Sequence, residues 1–186
     1  FLKYFNDSMG DLMKQRVVEL TEFGKAEKMK LIEASIPSPG PGQIVVKNNA
    51  IGLNYLDTYF RSGLYPWPNQ EKIKIPGSEG VGFVHSVGSD VVELKEGDKV
   101  SYVTPVGAYA EYALINAVHA VEIKVKVNDF DVVACTLKGL TTHYLLHLTF
   151  NLKSGMTALV HAAAGGVGQL MGQWGSEIGA TMIGTV

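Results

Sequence analysis

Between His161 and Gly168 the chain runs His-Ala-Ala-Ala-Gly-Gly-Val-Gly. An apolar stretch, Ala158–His161, precedes this run, and a segment with helical apolar spacing, Val167–Ile178, follows it. Small residues between a strand and a helix can bind phosphate. The first N–H groups of a helix have no partner within it and carry partial positive charge, so they suit a pyrophosphate. On this reading Ala164, Gly165, Gly166, Val167 and Gly168 are the candidate contacts. Gly165 and Gly166 admit the ligand close to the backbone, and Gly168 lets the helix pack on the strand. The usual fingerprint is G-x-G-x-x-G, and Ala163 stands here at its first glycine. The competing reading is a tight strand–helix turn whose small residues serve packing alone.

Metal and thiol chemistry find less support. Cys135 is the lone cysteine, which rules out an internal disulfide and any Cys-rich metal site and suits a reducing, cytoplasmic compartment. The five histidines form no metal-ligand pattern; His143 and His147 are four apart, but no third ligand motif accompanies them. The net charge of −2, with no Lys/Arg run, gives nucleic acid or an anionic membrane no electrostatic hold. Apolar runs such as that around Leu145–Leu148 are too short to span a bilayer.

The elements that must position the turn can be read along the chain. Hydrophobic residues make up 46%, enough for a substantial core. No repeat or low-complexity tract is present. Strands are predicted at Arg16–Leu20, Met29–Ala34, from Ile44–Val46 onward through Ala50–Leu53, and at Val81–Val87, Lys99–Val103 and Tyr109–Ile115. The cluster Ser38–Gly42 and the Gly-Ser-Asp and Glu-Gly-Asp triplets at 88–90 and 96–98 supply turns. Short strands so spaced predict an irregular antiparallel barrel. Asp129 or Asp131 is a candidate cap for a helix over Val132–Leu137, and a second helix is predicted over Leu140–Leu148. Ala158–His161, the glycine turn, the helix ended by Gly179, and the strand Thr181–Val186 make a βαβ unit. Phe1–Met13 shows no signal-peptide pattern and no initiator Met, and is read as an extension, a processed leader or a cloning remnant.

A resemblance sharpens this reading. Leu152–Ser176, with its Ala-Ala-x-Gly-Gly-Val-Gly turn and Gln173, resembles the signature region of the quinone oxidoreductase (zeta-crystallin-like) group of zinc-free medium-chain dehydrogenases/reductases, and most of all its bacterial-type members. Asn54–Tyr59 with Arg61–Tyr65, Pro76–Gly82, Gly97–Val100 and Lys138–Thr141 match that group in order and spacing, so the resemblance covers about Gln15 to Val186. It implies an α/β chain with a β-rich part: a chaperonin-10-like (GroES-like) irregular β-barrel catalytic domain at 15–137, the first βαβ unit of a Rossmann dinucleotide-binding domain at 138–186, and an extension of unknown role at 1–14. It makes Ala163 the group's own variant. It also implies NADPH-dependent reduction of quinones by hydride or electron transfer in a cytoplasmic homo-oligomer, without zinc, because Asn54, Ser78 and a residue near Lys138 stand where zinc relatives carry Cys, His and Cys.

The resemblance places Asn54, Tyr59 and Tyr65 around nicotinamide and quinone, with Asn54 hydrogen bonding and the tyrosines stacking and offering O–H donors. Thr141 becomes a nicotinamide-amide contact. Each has a plainer reading: Asn54 as turn or cap, Tyr59 as a surface phenol, Thr141 as a helix N-cap, Asp57 as the organiser of its own loop. Arg61 either pairs with a carboxylate or closes the cleft, Glu79 makes a structural hydrogen bond, and Lys138 is either phosphate-facing or solvated. The chain ends before the residue that reads the adenosine ribose, so NADPH rests on the resemblance. Alternatives are an enone or alkenal double-bond reductase of the same superfamily, and a truncated, crystallin-like product without turnover. For the isolated 186-residue chain, weak or absent NADPH binding is expected.

Overall fold

The computed structural model describes residues 13–68 and 72–186. Strands β1 (Lys14–Leu20) and β2 (Met29–Ser35) form an antiparallel hairpin. Of the extension expected at 1–14, residues 1–12 lie outside the described residues, and Lys14 pairs with Ser35 as the first residue of β1. Strands β3 (Gln43–Ile51), β4 (Glu79–Val87), β5 (Lys99–Val103), β6 (Tyr112–Asn116) and β7 (Ala120–Glu122) build a five-stranded antiparallel sheet in the order β6-β3-β4-β5-β7. The bridge Val17–Ala110 ties the hairpin to this sheet, as does the Arg16–Glu111 ion pair.

The core follows from strand alternation and sheet position. Ile44, Val46, Val84, Val100, Tyr102 and Ile115 share one buried cluster. Ile44, Val45 and Val46 are all fully buried; successive side chains point to opposite faces, so this central strand is covered on both sides. The strand begun at Val81 in the sequence reading starts at Glu79, and the one placed at Tyr109–Ile115 forms only at Tyr112–Asn116. Tyr109 is instead turned to pair with the Pro76 carbonyl and with Val18.

Helix α1 (Tyr55–Ser62) follows β3, and α2 (Asp129–His143) crosses from the sheet to the second part of the chain. The two helices expected at Val132–Leu137 and Leu140–Leu148 are one continuous α-helix that passes into a π-helical turn at Tyr144–Thr149. The cap is Asn128, whose side chain accepts from the Phe130 N–H at 2.8 Å, and not Asp129 or Asp131. Asp129 reaches outward instead, to Lys99 on β5 and to Asn49, and both partners hold its carboxyl below the usual range. Strand β8 (Thr157–Val160), helix α3 (Gly166–Ile178) and the parallel strand β9 (Thr181–Gly184) complete the expected βαβ unit.

One glycine sets the sheet's geometry. The β3–β4 register shifts between Asn48 and Ala50, leaving Asn49 as the extra residue of a bulge opposite Gly82 and Val81. A Cβ at Gly82 would fall on the Lys47 carbonyl oxygen and lie 2.9 Å from Asn48 Cα. Backbone cannot yield as a flexible side chain can. Gly82→Ala is therefore expected to destabilise the protein by about 1–3 kcal/mol, read as a lower urea midpoint at unchanged slope.

Candidate functional site

Asn54 is the N-cap residue of α1, with extended backbone. Its own N–H donates to Asp57 Oδ2 at 2.8 Å, fixing the first turn, and Gly63 closes the helix in the left-handed region at φ 78°. Asn54 and Asp57 at this spacing, with Gly63 beyond, are local signals of a helix that the apolar run from β3 obscured. Asp57 organises more than its loop. It is buried, and it also accepts from Ser78 Oγ at 2.9 Å and from the Tyr109 hydroxyl at 2.8 Å. Sequence reasoning missed Tyr109, because no spacing rule links residues 52 positions apart.

The Asn54 side chain turns the other way. Its Nδ2 donates to Glu79 Oε1 at 2.7 Å. Glu79 has no exposed surface, and it also accepts from the Leu137 N–H at 2.7 Å and from Lys138 Nζ at 3.0 Å. The structural hydrogen bond expected of Glu79 is thus one of three, and Lys138 is neither solvated nor unpartnered. The Lys138 stem then lies over Gly166, where a Cβ would come 2.7 Å from Lys138 Cδ. In this way Asn54 is joined through Glu79 and Lys138 to the first residue of α3.

The glycine turn has the form its composition implied. Gly165 caps α3 with extended backbone, and no side chain caps its free N–H groups. Ala164, Gly165 and Gly166 are exposed, Val167 is half-buried and Gly168 is buried. A Cβ on Gly168 would sit 2.5 Å from the Ala162 oxygen and 2.6 Å from Ala163 Cα, so glycine here sets helix–strand contact. The Gln169 amide donates to the Ala164 oxygen at 2.7 Å and braces the turn. Thr141 lies inside α2, not at its start, which removes the N-cap reading. Its hydroxyl donates to the Leu137 oxygen at 2.9 Å and keeps lone pairs to accept from a ligand.

Tyr59 and Tyr65 are brought together, with ring centres 5.3 Å apart. Tyr55 and Phe60 pack edge-on against Tyr59 and Tyr65 respectively. Tyr59 is half-buried and Tyr65 exposed, so the pair forms a shelf with one aromatic side open. Arg61 donates to the Gly24 carbonyl at 3.2 Å, a backbone contact that neither sequence reading foresaw. Among the described residues no group of three or more His, Cys, Asp or Glu could hold a metal ion.

Removing part of the Glu79 network leaves buried charge without its partner. Glu79→Gln offers one acceptor oxygen to three donors and is expected to cost about 3–5 kcal/mol. Lys138→Met should cost a comparable amount, and the double variant less than the sum, in chemical denaturation.

Tyr102 and Tyr109 carry phenols pushed well above their ordinary range. Burial is the main cause in both. The nearby Glu79 charge adds to it in Tyr102, against the Asn48 hydrogen bond, and the bond to Asp57 adds to it in Tyr109. A raised folded pKa means that the unfolded chain ionises first. The contribution to stability is therefore whole below the unfolded value of about 10 and is lost as pH rises beyond it. Urea midpoints should hold steady up to that pH and then fall, and Tyr109→Phe should make the fall shallower. An identical alkaline slope in that variant contradicts the assignment.

Known proteins are similar to this chain in sequence and fold. The alcohol dehydrogenase GroES-like domain family matches residues 40–125. A quinone oxidoreductase of Pseudomonas aeruginosa is 43% identical over 173 residues, 91% of this chain and 52% of the relative. A 2-haloacrylate reductase of a Burkholderia species is 40% identical over 83% of this chain and 47% of its own length. The crystal structure of Escherichia coli quinone oxidoreductase complexed with NADPH superposes with a TM-score of 0.84 at 38% identity, covering 94% of this chain and 52% of that one. The chain spans about half the length of the curated relatives it matches.

Proposed function

The chain belongs to the quinone oxidoreductase group of the medium-chain dehydrogenase/reductase family, and from that premise we propose that it is the front portion of an NADPH-dependent, zinc-free quinone reductase. The observation that carries the proposal is the uncapped, exposed start of α3, tied through Lys138 and Glu79 to Asn54 beside the aromatic shelf. On this reading the barrel occupies 15–137 and the nucleotide-binding part begins at 138, inside α2.

The residues present fit a dinucleotide. The N–H groups at the Ala164–Gly168 turn suit a pyrophosphate, and the small residues there leave its approach open. Thr141 accepts from the carboxamide. A bound nicotinamide supplies the hydride. What these residues contribute is placement and exclusion of water. Tyr59 and Tyr65 stack against a planar acceptor and offer hydroxyl donors to its oxygens, while Asn54 presents its remaining amide oxygen. The donor set does not suit zinc. Asn54 is committed to Glu79 and the Ser78 hydroxyl to Asp57, and the Lys138 ammonium repels a cation at the same place.

The 2-haloacrylate reductase relative favours one second reading, reduction of an activated carbon–carbon double bond. We place the protein in the cytoplasm as a homo-oligomer without nucleic-acid or membrane partners; among the described residues no helix is long and apolar enough to cross a membrane.

NADPH oxidation by the full-length protein with a panel of quinones, enones and 2-haloacrylate tests this proposal. Quinones are expected to give the highest kcat/KM. Preference for the alkenes establishes the second reading, and no oxidation with any acceptor establishes a protein without turnover. Tyr59→Ala should lower kcat/KM for a quinone by about tenfold, the equivalent of one lost aromatic stacking contact, while Tyr59→Phe keeps most of it.

A further inference from the structure

His143 and His147 lie at the junction of α2 with the π-helical turn. Their ring centres are 5.1 Å apart at an interplanar angle of 45°. Trp174 from α3 touches both imidazoles, at 5.8 and 5.2 Å between ring centres. His143 is exposed and His147 half-buried, and neither ring is hydrogen-bonded or ion-paired among the described residues. Two unpartnered imidazoles are thus held side by side by an indole from a different helix.

Residues four apart on a helix lie on one face, which brings the two imidazoles together, and Trp174 packs against both. The resulting spacing is also one that a shared ion accepts. Two imidazoles bound to one tetrahedral ion at about 2.0–2.1 Å per bond place their ring centres about 5 Å apart.

We propose that His143 and His147 form a two-histidine chelate for a divalent transition-metal cation of the Cu(II)/Zn(II) class. Among the described residues no third His, Cys, Asp or Glu joins them, so water completes the coordination. This is a peripheral site. It takes no part in the reduction proposed above and stands or falls independently of it.

The test is titration of the full-length protein with copper(II), zinc(II) and magnesium(II) chlorides by calorimetry, with tryptophan emission and copper EPR in parallel. One saturable copper(II) equivalent should bind through this pair, more tightly than zinc(II), and magnesium should not compete. Losing a ligand should weaken copper(II) binding by at least the 10–100-fold that loss of outer-shell support costs. His143→Ala and His147→Ala should each show that drop, and His119→Ala should not. His143 is exposed, so its replacement leaves the fold intact, as circular dichroism will verify. Copper(II) should quench part of the emission. Trp174→Phe should abolish that quenching while leaving affinity unchanged, and the EPR spectrum should show two imidazole nitrogens. Copper(II) affinity unchanged in both histidine variants, or a spectrum without imidazole nitrogen in the wild type, overturns the proposal and leaves the cluster as packing alone.

Discussion

A carboxylate with no exposed surface is among the costliest groups a fold can carry, and Glu79 is tolerable only because three donors converge on it. The donors come from two helices: Asn54 from the start of α1, and the Leu137 N–H and Lys138 Nζ from consecutive residues of α2. Room for the carboxylate is made by Gly52, where any Cβ would fall on Glu79 itself. The five-stranded sheet, the first helix and the long helix leading to the βαβ unit are therefore registered against one buried charge. Moving any of the three away would leave Glu79 short of a partner, so their mutual placement is fixed electrostatically as well as by packing.

Asp57 applies the same logic on the other side of α1. It takes hydrogen bonds from the backbone of Asn54, from Ser78 and from Tyr109, so α1 is anchored at its N-terminus from both directions. Ser78 and Glu79 are adjacent in sequence and, as neighbours on an extended chain, face opposite ways, one to each carboxylate network. Gly77, at φ 95°, turns the chain into this position while leaving space for the Tyr109 ring. The aromatic shelf of Tyr59 and Tyr65 rides on this doubly anchored helix. Its orientation is thus inherited from polar contacts several residues away from either ring.

What could be read from the sequence divides along this line between local and distant causes. Most of the strands (though not β7), the turn at Ser38–Gly42 and the strand–turn–helix at Ala158–Ile178 were legible because each is set by neighbouring residues: alternation, Pro and Gly dihedrals, small side chains at a helix start. Two helices were expected on either side of Gly139, yet α2 runs through it. Val133 packs with Ala50 and Val81, and Thr136 bonds to Ser101, so tertiary contacts outweigh the weak local preference. Asp129 was read as a cap for want of any sign that Lys99 stands opposite it. The candidate site was legible as a list of residues and not as a network, because Glu79–Lys138 and Asp57–Tyr109 join positions 59 and 52 apart.

The glycine turn shows what the sequence pattern was selecting. Ala163 stands where the fingerprint has its first glycine, yet the positive φ, 56°, falls one residue earlier, at Ala162. An alanine in that region costs roughly 1–2 kcal/mol, and the N–H groups of Ala163 and Gly165, bonded to Thr185 and Ala162, hold it there. Ala163 therefore needs no glycine-only conformation. What its position demands is smallness, because a Cβ on Gly184 of the next strand would meet the Ala163 Cβ at 2.5 Å. Gly166 answers to a third demand, passage of the Lys138 stem on its way to Glu79. Packing alone would explain Gly168 and Ala163. It does not require the helix start to be left exposed without a side-chain cap, and that leaves the first N–H groups of α3 open to solvent or to an anion.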